Sequence, residues 1–120
     1  MIKNALVIGG ANGIGLSIAL SLAERQSCEN IYIVDKVRID DKNRHEKIQS
    51  FVFDLTETDY SFFDKFNDIN SLFITAGFGK LALFKDIDEK YILDSFNVNT
   101  IATIRIIHRF YERIHGNKDF

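Results

Sequence analysis

The chain has 120 residues, enough for one domain with a modest core and too few for two. Its formal charge of −2 argues against nucleic acid or an anionic membrane as a partner, and no apolar run is long enough to span a bilayer. A single cysteine, Cys28, excludes an internal disulfide framework. With no signal-peptide pattern, these features predict a soluble cytoplasmic protein.

The first part of the chain predicts a strand, a helix and a second strand. Residues 3–8 and 30–35 are short apolar runs typical of buried parallel strands. Between them, residues 13–26 carry apolar side chains at helical spacing. The predicted core positions of this helix include Ile14, Ile18 and Leu22. A strand–helix–strand unit of this length implies a right-handed parallel crossover.

Two more strands are predicted further along. Residues 36–47 are charged and aperiodic, which indicates a solvated loop, and residues 48–53 form a third strand. Residues 59–66 can form a short helix, and residues 71–75 a fourth strand. Three aromatic side chains share one side of that short helix: Tyr60, Phe63 and Phe66.

Residues 88–115 predict a long helical stretch, with a kink expected near residues 97–99. Its last part has two apolar faces, where a surface helix needs only one. One face carries Ile101, Ile104, Ile107 and Tyr111, and the nearly opposite face carries Ala102, Ile106 and Phe110. We therefore expect this helix to contact both its own sheet and something else, either further chain or another subunit.

The first strand runs into a glycine-rich turn, Gly9-Gly10-Ala11-Asn12-Gly13-Ile14-Gly15, and a helix begins within it. Such a turn brings backbone close to a ligand, and the helix start presents unpaired N–H groups that attract a phosphate. Asp35 ends the second strand, twenty positions after Gly15. A glycine turn followed by a distant acid predicts dinucleotide binding.

Four segments in order resemble one family. Ile8 through Gly15 resembles the T-G-x-x-x-G-x-G cofactor loop of short-chain dehydrogenases/reductases. Asp54-Leu55 is similar to the family's adenine-contacting pair, and Ala76-Gly77-Phe78-Gly79 resembles the second half of its N-N-A-G segment. Phe96-Asn97-Val98-Asn99 resembles its V-N motif. The resemblance implies an α/β, Rossmann-like doubly wound parallel sheet of order 3-2-1-4, incomplete at the strand-4 side, in one partial domain over residues 1–120.

The resemblance also implies the site. The implied cofactor-binding residues are Gly9, Ala11, Asn12, Gly13, Ile14, Gly15, Asp35, Asp54, Leu55, Ala76 and Gly77, and the implied residue supporting the proton relay is Asn99. Two departures from the family pattern are visible. Ile8 replaces a threonine, and Ile74-Thr75 replaces Asn-Asn; Thr75 can recover one of the lost hydrogen bonds and Ile74 cannot.

Asp35 favours NAD over NADP as the cofactor. Its carboxylate can accept hydrogen bonds from both ribose hydroxyls and would repel a 2′-phosphate. Lys36 and Arg38 are close enough in sequence to soften this preference.

The family's catalytic serine and its Tyr-x-x-x-Lys pair have no match in the sequence. Tyr32 and Lys36 have that spacing, but they lie in a predicted strand, where the two side chains share a sheet face without helical geometry. The sequence therefore predicts a truncated NAD(P)-dependent oxidoreductase of an alcohol or carbonyl substrate, inactive alone. It would self-associate through the fourth-strand edge or the helix around residues 100–114. The alternative is a non-catalytic nucleotide-binding module or accessory subunit. A methyltransferase is a third possibility, disfavoured by the glycine spacing and the Asn99 motif.

Overall fold

The computed structural model describes residues 1–79 and 81–120. Four parallel strands form one sheet in the order β3-β2-β1-β4, which confirms the predicted order. The strands are β1 (Asn4–Ile8), β2 (Asn30–Asp35), β3 (Ile48–Val52) and β4 (Ser71–Ile74). Each begins and ends within one residue of its predicted boundary.

The order in which strands are added to the sheet reverses at β1. This strand lies between β2 and β4, with Val7 opposite Ile33 on one side and Phe73 on the other. The chain passes from β1 outward to β2 and β3, then crosses back to β4. In sheets of this kind a crevice opens at the carboxyl ends of the strands where the order reverses, here between β1 and β4.

One face of the sheet packs against helix α1 (Gly13–Ala23). The buried side chains in this layer are small or aliphatic: Ala5, Val7, Ala19, Leu22, Ala23, Cys28, Ile31 and Ile33. Because the helix carries alanines toward the sheet, the two backbones approach closely. Leu22 is buried as predicted, but the expectation for Ile14 was wrong, since its side chain is 76% exposed at the first turn of the helix.

The other face is covered mainly by aromatic side chains. Tyr60, Phe63 and Phe66 are at most 2% exposed, which confirms their shared inward side. Phe63 lies in a 3₁₀ helix, Ser61–Lys65, and Tyr60 and Phe66 are the residues that flank this helix. Two further 3₁₀ helices lie in the connecting loops, at Asp41–Asn43 and Phe84–Asp86.

The long helical stretch is continuous, and its helical geometry changes where the sequence predicts a kink. It consists of α2 (Glu89–Phe96), a π-helical segment (Asn97–Ile101) and α3 (Ala102–Gly116). Ala102, Ile106 and Phe110 are buried against the sheet, whereas the opposite apolar side chains are exposed. Those exposed side chains are Ile101, Ile104, Ile107 and Tyr111, at 43 to 62%. None of the helices in the described residues is both long and apolar enough to cross a membrane.

Candidate functional site: a cleft at the carboxyl ends of the strands

The turn after β1 depends on its glycines because backbone segments approach it closely. Gly9 has a φ of +85°, and a Cβ there would lie 2.6 Å from the backbone nitrogen of Ala76. A Cβ at Gly15 would lie 2.3 Å from the carbonyl oxygen of Gly9. Both positions therefore exclude any side chain, and they hold β1, α1 and the end of β4 together.

The outer part of the turn is open on the side where a ligand would approach. Gly13 has a φ of +58°, and a Cβ there would meet no atom within 4 Å. Asn12 is the N-cap residue of α1, but its side chain makes no capping hydrogen bond. The first N–H groups of α1 and its positive dipole end thus face open space, which is the arrangement that binds an anionic phosphate.

Asp35 ties the end of β2 to the glycine turn. One of its carboxylate oxygens accepts a hydrogen bond from the Ala11 backbone N–H, at 3.0 Å. The other oxygen accepts a longer one from the Val37 N–H, at 3.4 Å. The carboxylate that the sequence assigned to the ribose therefore also positions the turn, and both Asp35 and Val37 line the cleft.

A second turn, residues 54–57, forms the opposite wall beyond β3. The Asp54 carboxylate accepts hydrogen bonds from the backbone N–H of Thr56, at 2.9 Å, and from its hydroxyl, at 2.8 Å. These hydrogen bonds hold the pKa of Asp54 below its usual value, and the bond from the Thr56 backbone N–H has the larger effect. Asp54 is therefore an ionised acceptor at neutral pH, and Leu55 beside it presents an apolar side chain to the cleft.

Thr75 fastens the end of β4 to the glycine turn. Its hydroxyl donates to the carbonyl oxygen of Ile8, at 2.9 Å, and lies 3.2 Å from that of Gly9. Thr75 therefore makes a side-chain hydrogen bond, which the apolar Ile74 beside it cannot make.

Asn99, in the π-helical segment, clamps the loop after β4. Its side-chain oxygen accepts from the Phe78 N–H and its side-chain nitrogen donates to the Phe78 carbonyl, both at 2.8 Å. The nitrogen also donates to the Ser95 hydroxyl, at 3.2 Å. Because all its polar atoms are bonded to protein, Asn99 organises the loop rather than facing the cleft with its side chain.

These walls enclose a cavity of about 620 Å³. Most of the predicted binding residues line it: Gly9, Asn12, Gly13, Ile14, Gly15, Asp35, Asp54, Leu55, Ala76 and Gly77. Ala11 is buried and contributes through its N–H, while Asn99 lies behind Gly77 and Phe78. The volume is within the range of small-ligand and cofactor sites.

The family model described as short chain dehydrogenase matches residues 3–119. The chain belongs to the short-chain dehydrogenase family. All four segments that carried the resemblance lie inside this match. No curated protein matched the sequence.

Solved structures of short-chain dehydrogenases have the same fold. A family protein from Francisella tularensis subsp. tularensis SCHU S4 superposes with a TM-score of 0.80 at 22% identity, over 93% of this chain and 46% of that chain. A bulky-bulky ketone specific alcohol dehydrogenase from Comamonas testosteroni gives 0.76 at 24% identity, over 92% and 51%. NADPH-bound carbonyl reductase from chicken fatty liver gives 0.71 at 18% identity, over 92% and 47%. The chain thus spans about half the length of these relatives.

Sequence reasoning missed the wall that α2 contributes to this short-chain dehydrogenase cleft. Lys90 and Asp94 line the cavity and form an ion pair one helical turn apart. The hydrogen bond with Asp94 raises the pKa of Lys90, and the charge of Asp54 across the opening acts in the same direction. The available signal was the lysine–aspartate pair at i and i+4, but that spacing is typical of any solvated helix surface.

Tyr32 and Lys36 do not form a catalytic pair in this member of the family. Tyr32 lies within β2, and its hydroxyl donates to the Asp68 carboxylate, at 2.8 Å. Burial and this hydrogen bond raise the pKa of Tyr32 to about 12. No tyrosine is among the described residues that line the cleft, and no cluster of three or more potential metal ligands occurs in the part of the chain that the structure describes.

Proposed function

We propose that this chain binds NAD in the cleft and supplies the cofactor-binding part of an oxidoreductase that acts on an alcohol or carbonyl substrate. The observation that carries the proposal is the convergence of the open helix N-terminus, the Asp35 carboxylate and the turn at Asp54 on one cavity. Each element matches one chemical part of a dinucleotide: anionic phosphate, ribose hydroxyls and adenine.

The glycine turn would hold the pyrophosphate, with the N–H groups at Gly13, Ile14 and Gly15 as donors. Asp35 would accept from the ribose hydroxyls while keeping its bond to the Ala11 N–H. The open space at Gly13 fits this role, because a side chain there would occupy the approach to the helix N-terminus.

The remaining residues would hold the other parts of the cofactor. Asp54 and Leu55 would contact the adenine, and Ala76 and Gly77 would line the path toward the nicotinamide. Asn99 would keep that path open through its clamp on Phe78.

A bound nicotinamide dinucleotide would supply hydride chemistry, and the residues of this chain would bind and orient it. Because no tyrosine lines the cleft among the described residues, we propose that this chain binds the cofactor but does not catalyse hydride transfer by itself. NAD is preferred over NADP because the Asp35 carboxylate would repel a 2′-phosphate near the ribose. The proposed location is the cytoplasm, in keeping with Cys28 as a buried free thiol.

Calorimetry and NADH fluorescence test the proposal, and the chain has no tryptophan to interfere with the fluorescence. We expect one saturable site for NADH, weaker binding of NADPH and no binding of S-adenosylmethionine. The last titration tests the alternative that the chain is a methyltransferase. Ile14→Asp places a carboxylate where the pyrophosphate would lie and should weaken NADH binding by about tenfold or more. Ser17→Asp, exposed on the same helix and outside the cleft lining, is the matched control.

The design of Ile14→Asp separates binding from folding. Ile14 is exposed, and an acid in the first turn of a helix favours the helix through its dipole, so the variant should fold normally. A wild-type chain that binds no NADH, or equal affinities in the two variants, would contradict the proposal. Hydride transfer by the isolated chain would contradict the absence of turnover.

The exposed face of α3 favours a second candidate role, that of a partner subunit. Four apolar side chains lie there: Ile101, Ile104, Ile107 and Tyr111. β4 also has β1 as its only strand neighbour in the described residues, which leaves one sheet edge open. We propose that the chain self-associates through the helix face, the edge or both.

Sedimentation velocity distinguishes the associated from the monomeric chain. Ile104→Asp should shift the wild-type distribution toward monomer, because a charge would be buried in the contact. Ser17→Asp, remote from α3, should leave it unchanged. A wild-type chain that is monomeric at about 100 μM, a concentration at which even micromolar affinity gives dimer, would exclude this role.

A further inference from the structure

The turn at residues 54–57 is closed by hydrogen bonds within itself. The Glu57 N–H donates to the Asp54 carbonyl, at 3.1 Å, and the Asp54 carboxylate accepts from Thr56. These bonds set the shape of the turn, but they do not determine where it lies relative to the glycine turn across the cleft. Contacts with other elements must do that.

Tyr60 connects the turn to the core. Its hydroxyl donates to the carbonyl oxygen of Leu55, at 2.6 Å. Tyr60 is only 2% exposed, and its ring packs edge-on against Phe53, with centroids 5.4 Å apart, and at a tilt against Phe63, at 5.3 Å. Because the ring is held by the aromatic layer, the hydroxyl fixes the Leu55 carbonyl relative to the sheet.

Arg105 on α3 holds the same turn from outside. Its guanidinium carbon lies 3.5 Å from the centroid of the Tyr60 ring, and its nitrogens donate to the carbonyls of Glu57, at 2.8 Å, and Thr58, at 2.5 Å. The planar guanidinium can stack and donate two hydrogen bonds at once, which a lysine ammonium cannot do in this geometry. Arg105 therefore covers Tyr60 and fastens the end of the turn.

We infer that Tyr60 and Arg105 are positioning residues for the adenine end of the cleft. They hold the turn at residues 54–58 where Asp54 and Leu55 would meet the adenine. The inference rests on the proposed function, since it assigns a purpose to this wall of the proposed dinucleotide site. It also links the two walls: Arg105 follows the π-helical segment whose Asn99 clamps Phe78 on the other side.

Tyr60→Phe tests the inference, with Tyr32→Phe as the matched control. Each variant removes one tyrosine hydroxyl that donates a hydrogen bond and keeps the ring in the core. Tyr32 is not among the residues that line the cleft. We expect Tyr60→Phe to raise the Kd of NADH and of ADP-ribose by about 3- to 10-fold, the effect of losing one hydrogen bond. Nicotinamide mononucleotide, which lacks adenine, should be unaffected, and Tyr32→Phe should change none of the three.

Arg105→Lys separates charge from geometry. It keeps the cation but loses the stack and the paired hydrogen bonds, so it should weaken NADH binding as Tyr60→Phe does. An Arg105→Lys chain with wild-type affinity, or a Tyr60→Phe chain that matches Tyr32→Phe, would overturn the inference. A general loss of stability would instead weaken all ligands together, including nicotinamide mononucleotide.

Hydrogen exchange keeps the inference independent of cofactor binding. The Thr56 and Glu57 amides should exchange faster in Tyr60→Phe than in Tyr32→Phe, because the turn loses its bond to the core. If the wild-type chain binds no NADH, the proposed function fails, and the exchange rates alone then decide whether Tyr60 positions the turn. Equal rates in the two variants overturn it.

Discussion

The two faces of the sheet are covered in different ways. On one face, α1 packs alanines and aliphatic side chains against alternate residues of β1 and β2. On the other, residues from the 3₁₀ helix Ser61–Lys65 and from α3 build an aromatic layer. The first layer is made by elements adjacent in the chain, and the second by segments more than 35 positions apart.

The difference extends to the polar contacts. Three arginines of α3, at intervals of four, bind the segment that carries the aromatic layer. Arg105 donates to Glu57 and Thr58, Arg109 to the Asp64 carboxylate, and Arg113 to the carbonyls of Phe66 and Ile69. The α1 layer is held by close backbone approach, and the side chains of Asp35 and Thr75 tie the turn before α1 to the sheet. Burial therefore stabilises both faces, and on the aromatic face the arginines also join segments that are distant in the chain.

Among the substitutions that test this difference between the two faces, truncation of Phe63 should have the largest effect on the free energy of unfolding. Phe63 is fully buried, and Phe63→Ala should lower the free energy of unfolding by about 3–5 kcal/mol, measured by urea denaturation. Its counterpart on the other face, Leu22→Ala, should lower it by about 2–5 kcal/mol. In hydrogen exchange, Phe63→Ala should release α3 before α1, and Leu22→Ala the reverse. The same order of release in both variants would mean that the faces are not separate layers.

Introduction of a side chain at Gly15 should have an intermediate effect on the free energy of unfolding. A Cβ there would lie 2.3 Å from the Gly9 carbonyl oxygen and 2.5 Å from the Thr75 hydroxyl, so α1 must move away. Gly15→Ala should cost about 1–3 kcal/mol of stability. Gly13→Ala meets no atom within 4 Å and should cost only the strain of its positive φ, about 1–2 kcal/mol. Thermal unfolding of both variants checks this, and a Gly15→Ala chain as stable as wild type would contradict close packing at this turn.

The ion pair between Arg109 and Asp64 should have the smallest effect, because it is exposed. The Arg109 guanidinium holds the pKa of Asp64 below its usual value of 3.8. The pair therefore contributes above that pH and is lost as the pH falls through the lowered pKa. Asp64→Asn should reduce the melting temperature slightly at pH 7, and the difference from wild type should disappear as the pH falls through the lowered pKa of Asp64.

The matched control for the ion pair is Glu29→Gln, whose partner Lys3 lies 3.9 Å away. We expect its melting temperature to follow wild type at every pH. A difference between Asp64→Asn and wild type that persists in acid would show that Asp64 acts through something other than its charge.

The sequence by itself determined the four strands, and the resemblance of its motifs to a known family implied their order, which the structure confirms. Continuous apolar runs are typical of buried parallel strands, and the positive φ angles of Gly9 and Gly13 account for two of the glycines in the turn. It also indicated an irregularity near residues 97–99, where the π-helical segment lies, and the two apolar faces of the last helix. These features depend on residue types and on spacing along the chain.

Only the tertiary structure decided which side chains from distant segments meet at the cleft, because the spacing of residues along the chain does not specify such contacts. Ile14 has helical core spacing, yet its side chain is exposed at the cleft, because α1 begins just after the carboxyl end of β1. Lys90 joins the site only because α2 folds back across it. The bonds from Tyr60 to Leu55 and from Arg105 to Glu57 depend on where α3 lies against the aromatic layer. Contacts between such distant segments come from packing, so no local pattern records them.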